Sequence, residues 1–295
     1  MSQNAYADIV DHLFKGARLL SFQRLTGGVS ADVHRLDVNT SSGEVVRLVL
    51  RAHREDHNGH TAEVEYQLLQ ALHQAGLPVP EPLLVDSSGR LLANPFLDMS
   101  FIEGDTKIPS AHQNKRIDTM AKWLATIHTL AIAQLPTLPV RSDPLPELFD
   151  YLPVGAQWDA LRTHLGTLRN TGYRGEAQLL HGDFWPENLL WKGGAVAAIL
   201  DWEDAALGDP LSDVAAARVE LRYKFGKAGM QRFTQAYEKH RPVDRKRLAL
   251  WQVYVSAAAQ RYMGDWGLEA ALEAHMRKEA LASIREAGDL LMDTE

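Results

Sequence analysis

Residues 179–210 read LLHGDFWPENLLWKGGAVAAILDWEDAALGDP. The stretch holds a His-Gly-Asp, an Asn five residues after that Asp, and a second Asp at the end of an apolar run. Neither folding nor solubility requires that order. LLW and AVAAILDW, joined by Lys192-Gly193-Gly194, have the composition of two short strands and a tight turn. A hairpin of this size returns its second strand to the start of the first. Asp201 is therefore expected near Asn188, with Asp183 a little further away and FWPE as a loop. Two carboxylates and an amide oxygen are hard ligands that suit Mg²⁺, which binds through one or two carboxylates plus substrate phosphates. His181 stays open as a ligand, although partner histidines are missing locally.

Upstream, the first hundred residues read as strands around one helix. ARLLSFQRL, ADVHRLDV and VVRLVLRA are short, rich in Val and Leu, and separated by TGG and NTSSGE, the latter a hairpin turn. Ala62, Tyr66, Leu69 and His73 recur at helical spacing and stop at Gly76, before Pro78 and Pro80. EPLLVD and NPFLDMSFI complete an expected five-stranded antiparallel sheet. After Gly104 the texture turns helical, with Ile117, Met120, Ala121, Leu124 and Ile127 on one face. LPTLPVRSDPLPE is expected as an irregular connector, and helices dominate from Asp213 onward. The expectation is an α+β chain with a β-rich part at 1–104 and a larger helical part at 105–295.

The whole chain of 295 residues, 45% hydrophobic, is long enough for more than one core. It has no cysteine, which excludes disulfides, Cys-ligated metals and a Cys nucleophile. MSQNAYADIVDHLFKG lacks the basic and apolar regions of a signal peptide, and no apolar run approaches the roughly 20 residues that span a bilayer. A soluble cytoplasmic protein without a membrane partner is expected. The net charge of -7 comes without a concentrated basic face, so no nucleic-acid partner is expected. DRKR at 244–247 reads as a solvated helix start. His53, His57 and His60 recur at helix-like spacing but in a loop-like REDHNG context, with nothing to close a metal shell.

His181-Gly182-Asp183-x-x-x-x-Asn188 resembles the kinase catalytic loop, with Gly in place of Arg, and Ile199-Leu200-Asp201-Trp202 stands where kinases carry Asp-Phe-Gly. Together with Gly208-Asp209-Pro210-Leu211-Ser212-Asp213, these elements are similar to those of the aminoglycoside phosphotransferase and choline-kinase-like family. The resemblance implies a two-lobed protein-kinase-like fold, with the 1–104 lobe binding ATP or GTP and the 105–295 lobe holding the catalytic loop and the acceptor pocket. It implies a nucleotide-covering loop at Gly27, Gly28 and Ser30 and a phosphate-binding cation at Arg51, where Lys is usual. Glu65 would pair with that cation, Glu63 being the alternative register. Ser100 and Ile102 would meet the purine through their backbone. Asn188 and Asp201 would hold Mg²⁺, Asp183 would take the acceptor proton, and Asp213 would brace the catalytic loop.

The acceptor is less legible. Trp185, Trp202 and Glu203 adjoin the motif, while Trp251, Tyr254, Tyr262, Asp265 and Trp266 offer aromatics and an acid that equally suit a core. The expected activity is phosphate transfer to a hydroxyl of a small acceptor such as an aminoglycoside, sugar or amino alcohol. The alternatives are a nucleotide-binding pseudokinase and a metal-dependent hydrolase using His181 and Asp183.

Overall fold

The structure, a computed structural model, describes residues 3–25, 31–54, 57–130 and 135–293. It divides into two compact units, 1–106 with 133–137 and 188–204, and 107–132 with 138–187 and 205–295.

The first unit is built on an antiparallel sheet of β1 (Arg18–Arg24), β2 (Ala31–Asn39), β3 (Val45–His53), β4 (Pro82–Asp86) and β5 (Phe96–Ser100). The strand order is β1-β2-β3-β5-β4. β2 and β3 pair from Ala31↔His53 to Asn39↔Val45, across the turn expected from its Ser and Gly residues. The helix α2 (Ala62–Gln74) packs against β4 and β5. Thr61 caps it by accepting from Val64 N, and Gly76, at φ +79°, ends it.

A second helix, α1 (Gln3–Leu13), was not expected. Its Tyr6, Ile9 and Val10 are buried at three- and four-residue spacing against Leu36, Val38, Leu50 and Phe96. The hairpin β8 (Leu189–Lys192) and β9 (Ala195–Ile199) also belongs to this unit. A division of the sequence at Gly104 leaves it with the helical part. In the structure Trp191 bridges Asp105 by paired backbone bonds of 2.8 and 3.1 Å, and Ile199 N donates to Pro78 O at 2.7 Å. Gly104 permits that approach, because a Cβ there would lie 3.0 Å from Leu190 Cβ and 3.1 Å from Trp191 O.

One core residue of the sheet is a carboxylic acid. Asp98 is fully buried opposite Leu50, and neither of its oxygens has a hydrogen-bond partner among the described residues. Burial pushes its carboxyl up to about 8. An acid whose pKa is raised by folding costs stability as pH climbs from its unfolded to its folded value, because the unfolded chain then ionises while the native state keeps its proton. Asp98→Asn is therefore expected to flatten the loss of stability between about pH 4 and pH 8, by roughly 5–6 kcal/mol at the alkaline end. Urea unfolding of both proteins at the two pH values checks this.

The second unit contains α3 (Gln113–Ile127), α4 (Leu145–Tyr151), α5 (Asp159–Thr167), α6 (Pro210–Glu238), α7 (Arg245–Tyr262) and α8 (Ala270–Met292). Its sheet is β6 (Val140–Arg141), β10 (Ala206–Gly208) and β7 (Gln178–Leu180), in the order β6-β10-β7. The expected irregular connector thus supplies a strand and a helix. Pro146 sits in the first turn of α4, where a missing N–H costs nothing, so the prolines start a helix as well as punctuate the chain. Leu148, Trp158, Leu161, Val253 and Ile284 form a core shared by α4, α5, α7 and α8.

Gly208-Asp209-Pro210 joins β10 to α6, and each residue has a steric or polar reason. A Cβ at Gly208 would lie 1.9 Å from Arg141 O of the parallel neighbour β6. Buried Asp209 caps α6 through Leu211 N at 3.0 Å and accepts from Trp251 Nε1 and Arg247 Nε, both at 2.5 Å. Pro210 occupies the first turn. Asp244 caps α7 at the expected helix start, but Arg247 turns inward rather than into solvent, reaching Asp209 and the Ser142 carbonyl.

Candidate active site

In the first unit the charged side chains gather around Arg51 of β3. Its Nη1 donates to Asp201 Oδ1 at 3.0 Å, its Nη2 pairs with Glu203, and its Nε lies 3.6 Å from Glu65 Oε1. Burial opposes the guanidinium charge, but Glu65, Asp201 and Glu203 outweigh it and hold the pKa above the ordinary arginine value. Glu65 is buried in turn. Burial works against its charge, while Arg51 and a 3.1 Å hydrogen bond with His53 Nε2 keep its carboxyl below the usual range. The register is settled in favour of Glu65. The ring of His53 stacks on that of His57 at 4.0 Å, and His57 Nε2 meets His60 O at 2.8 Å, so these histidines are structural partners. Among the described residues no three His, Asp or Glu side chains converge as a metal site.

The β8–β9 hairpin brings the expected pair together. Gly193 and Gly194, at φ +59° and +83°, form a two-residue turn with both central residues in the left-handed region, matched to the strand twist. Leu200 N donates to Asn188 O at 2.8 Å, which sets Asp201 beside Asn188. Asp201 itself is at φ +62°, a conformation few side chains tolerate, and the cost of about 1 kcal/mol is characteristic of functional positions.

In the second unit β7 runs directly into His181-Gly182-Asp183. Gly182, at φ +88°, turns the chain so that two successive amides face one carboxylate. His181 N donates to Asp213 Oδ2 at 2.6 Å and Gly182 N to Asp213 Oδ1 at 3.0 Å. His128 of α3, itself held by Tyr237 at 2.8 Å, adds a third contact at 3.3 Å. Asp213 is fully buried. Burial opposes its charge, yet His128 and the His181 amide hold its carboxyl below the usual range. His181 is a core residue whose Nδ1 accepts from Asp183 N at 3.3 Å.

Other expected residues fall out differently. Ser100 ends β5, and its N–H donates to Glu81 O at 2.9 Å, so that amide is committed within the sheet. Ile102 lies just beyond, half-buried. Trp202 is a core side chain, 1% exposed, with Nε1 on Ile199 O at 3.1 Å. The carboxylate of Glu203 is spent on Arg51. Trp185 remains half-buried in the loop after Asp183. Trp251 is core, while Tyr254 and Tyr262 pack around Tyr151 with centroids 5.7 and 5.6 Å apart. Gly27, Gly28 and Ser30 lie outside the described residues.

Glu220 of α6 is a candidate that sequence reading missed. Burial, then the charges of Asp183 and Glu187, push its carboxyl up to about 8. VELRYK looks like any amphipathic helix, and only the fold shows that Glu220 and Lys224, one turn apart, face the catalytic loop through Lys224's ion pair with Glu187.

Comparison with known proteins identifies the family and the fold. The sequence profile of the phosphotransferase enzyme family, APH, matches residues 21–251. The fold is shared with APH(4)-Ia, solved in a ternary complex with AMP-PNP and hygromycin B, at a TM-score of 0.66, 16% identity and coverage of 96% of this chain and 99% of that one. It is shared also with the macrolide 2'-phosphotransferase MphH of Brachybacterium faecium, at a TM-score of 0.61, 19% identity and coverage of 94% and 98%. Human acyl-CoA dehydrogenase family member 11 is 29% identical over 184 residues, 53% of this chain, and mouse family member 10 is 29% identical over 187 residues, 54% of this chain. This chain spans only 22% and 16% of those proteins. The architecture is the α+β protein-kinase-like fold. The chain belongs to the phosphotransferase enzyme family. No helix among the described residues is long and apolar enough to cross a membrane.

Proposed function

We propose that this phosphotransferase is a small-molecule kinase that moves the γ-phosphate of ATP or GTP to an acceptor hydroxyl. The observation that carries the reading is the Arg51–Glu65–Asp201 ion cluster beside Asn188, a cation and oxygen donors suited to a nucleotide's phosphates. Asn188 and Asp201 would hold Mg²⁺, a fit their hard oxygen donors support; the bound ion would neutralise phosphate charge. Asp183 takes the hydroxyl proton as the acceptor oxygen bonds to the γ-phosphorus and the bridging P–O bond breaks, releasing ADP or GDP. Arg51 orients the phosphates and Glu65 holds Arg51 in place. Glu220 and Trp185 face the acceptor, Glu220 as a hydrogen-bonding acid rather than a fixed charge. Arg is bidentate where Lys is a point charge, so the two are not interchangeable here. Arg51→Lys is expected to keep the fold and lose roughly 10-fold in kcat/KM, and Arg51→Ala roughly 10²-fold or more, as for loss of one charge-stabilising donor. Steady-state kinetics with both nucleotides checks this.

The acceptor is found by measuring ADP or GDP release across aminoglycosides, macrolides, sugars, amino alcohols and hydroxy acids, with hydroxyacyl thioesters added because of the acyl-CoA dehydrogenase relatives. An acceptor-stimulated release that Asp183→Ala abolishes supports the kinase. Nucleotide binding with no stimulated release by any acceptor supports the pseudokinase instead, with Arg51 as its departure from the usual Lys.

A further inference from the structure

The second unit holds a cavity of about 480 Å³ between α6, α7 and α8, a volume suited to a small molecule. It lies on the back of α6. Arg218 and Arg222, one turn apart, share a face turned by roughly 160–200° from Glu220 and Lys224, which address the catalytic loop. At Gly226, with φ +67° and ψ −174°, α6 bends, and its second segment brings Lys227 and Met230 over the cavity.

The charges in the lining are unbalanced. Arg218, Arg222, Lys227 and Arg245 line the cavity with a single carboxylate, Glu286. Arg222 is held by Glu279 through Nε and by Glu286 through both terminal nitrogens, Lys227 leans on Glu286, and Arg245 is drawn to Glu238. No carboxylate among the described residues pairs with Arg218. It donates to neutral groups, from Nε to Gln252 Oε1 at 2.7 Å and from Nη1 to the Thr234 hydroxyl. Burial, together with repulsion from Arg245 and Arg222, pushes its pKa down to about 10. A part-buried guanidinium without a carboxylate partner is costly, and an anion entering the cavity would relieve that cost. The opposite wall is apolar, supplied by Met230, Leu248 and Leu290.

We infer that this cavity binds a small amphipathic phosphate, its charged head on Arg218 with Lys227 beside it and its apolar tail along Met230, Leu248 and Leu290. Four lining cations meet three carboxylates, so the excess positive charge sits on Arg218, and a guanidinium matches phosphate geometry.

Calorimetric titration of the full chain with n-octyl phosphate, inorganic phosphate and the neutral n-octyl glucoside tests the assignment. Octyl phosphate is expected to bind one-to-one, inorganic phosphate more weakly, and the glucoside not at all. Arg218→Gln and Lys227→Glu are each expected to weaken octyl phosphate binding by about ten-fold or more, the scale of losing a charge-assisted contact. Lys227 is half-exposed, so its variant reports even where Arg218→Gln folds poorly. Absence of octyl phosphate binding, equal affinity for the glucoside or for bare phosphate, or affinity unchanged in the folded variants would overturn the inference.

Discussion

Asp183→Ala is expected to lower phosphate transfer by roughly 10²–10⁴-fold, the range for loss of a positioned general base. Nucleotide affinity should stay within a few-fold of the wild type, because the phosphate-binding cluster of Arg51, Glu65 and Asp201 is formed without it. Asp183 also contributes to the field that raises Glu220. Its removal should therefore bring the Glu220 carboxyl down towards the ordinary range, a change visible in the pH dependence of acceptor binding. Single-turnover transfer and nucleotide titration, run side by side on both proteins, separate the chemical loss from a binding loss.

Asp213→Ala should be the most destabilising single change at the catalytic loop. It strips acceptors from the His181 and Gly182 amides and from His128, all buried or nearly so. Removing one partner from a buried charged network costs about 3–5 kcal/mol. Asp213→Asn keeps the shape but turns an N–H towards donors, so it should recover only part of the loss. The pH dependence has a definite sign. Because folding lowers the Asp213 pKa, its contribution is full above the ordinary carboxylate pKa and is lost as pH falls through the lowered folded value. Denaturant unfolding at neutral and acid pH should show wild type and Asp213→Asn converging as pH falls.

The parts of the site that were legible in the sequence are those whose chemistry is local. Gly193-Gly194 supplies a two-residue turn, and that turn with the register shift between Leu190 and Trp191 brings the end of β9 back to Asn188. The brace at Asp213 was legible only through family resemblance, since thirty residues and a helix terminus separate it from the amides it holds. Burial was the hidden variable elsewhere. Trp202 and Glu203 stand next to the motif in sequence, but alternation along the chain sends the first into the core and the second onto Arg51. The helix α1 was passed over because its few apolar residues gain their meaning from the sheet they cover. The proline-rich connector hid β6 and α4 because proline starts helices as readily as it stops them. Glu220 and the basic cavity depend on which face of α6 each side chain takes, which the sequence pattern alone does not fix.

The central claim is transfer of a phosphoryl group to a hydroxyl with Asp183 as the base. Phosphorus NMR of a reaction holding Mg²⁺-ATP (or GTP) and the acceptor panel follows that transfer directly. A phosphomonoester resonance is expected to grow in step with the nucleoside diphosphate for wild type, and to be nearly absent with Asp183→Ala. Inorganic phosphate as the sole product whatever the acceptor, or a phosphomonoester formed equally by Asp183→Ala, would contradict it.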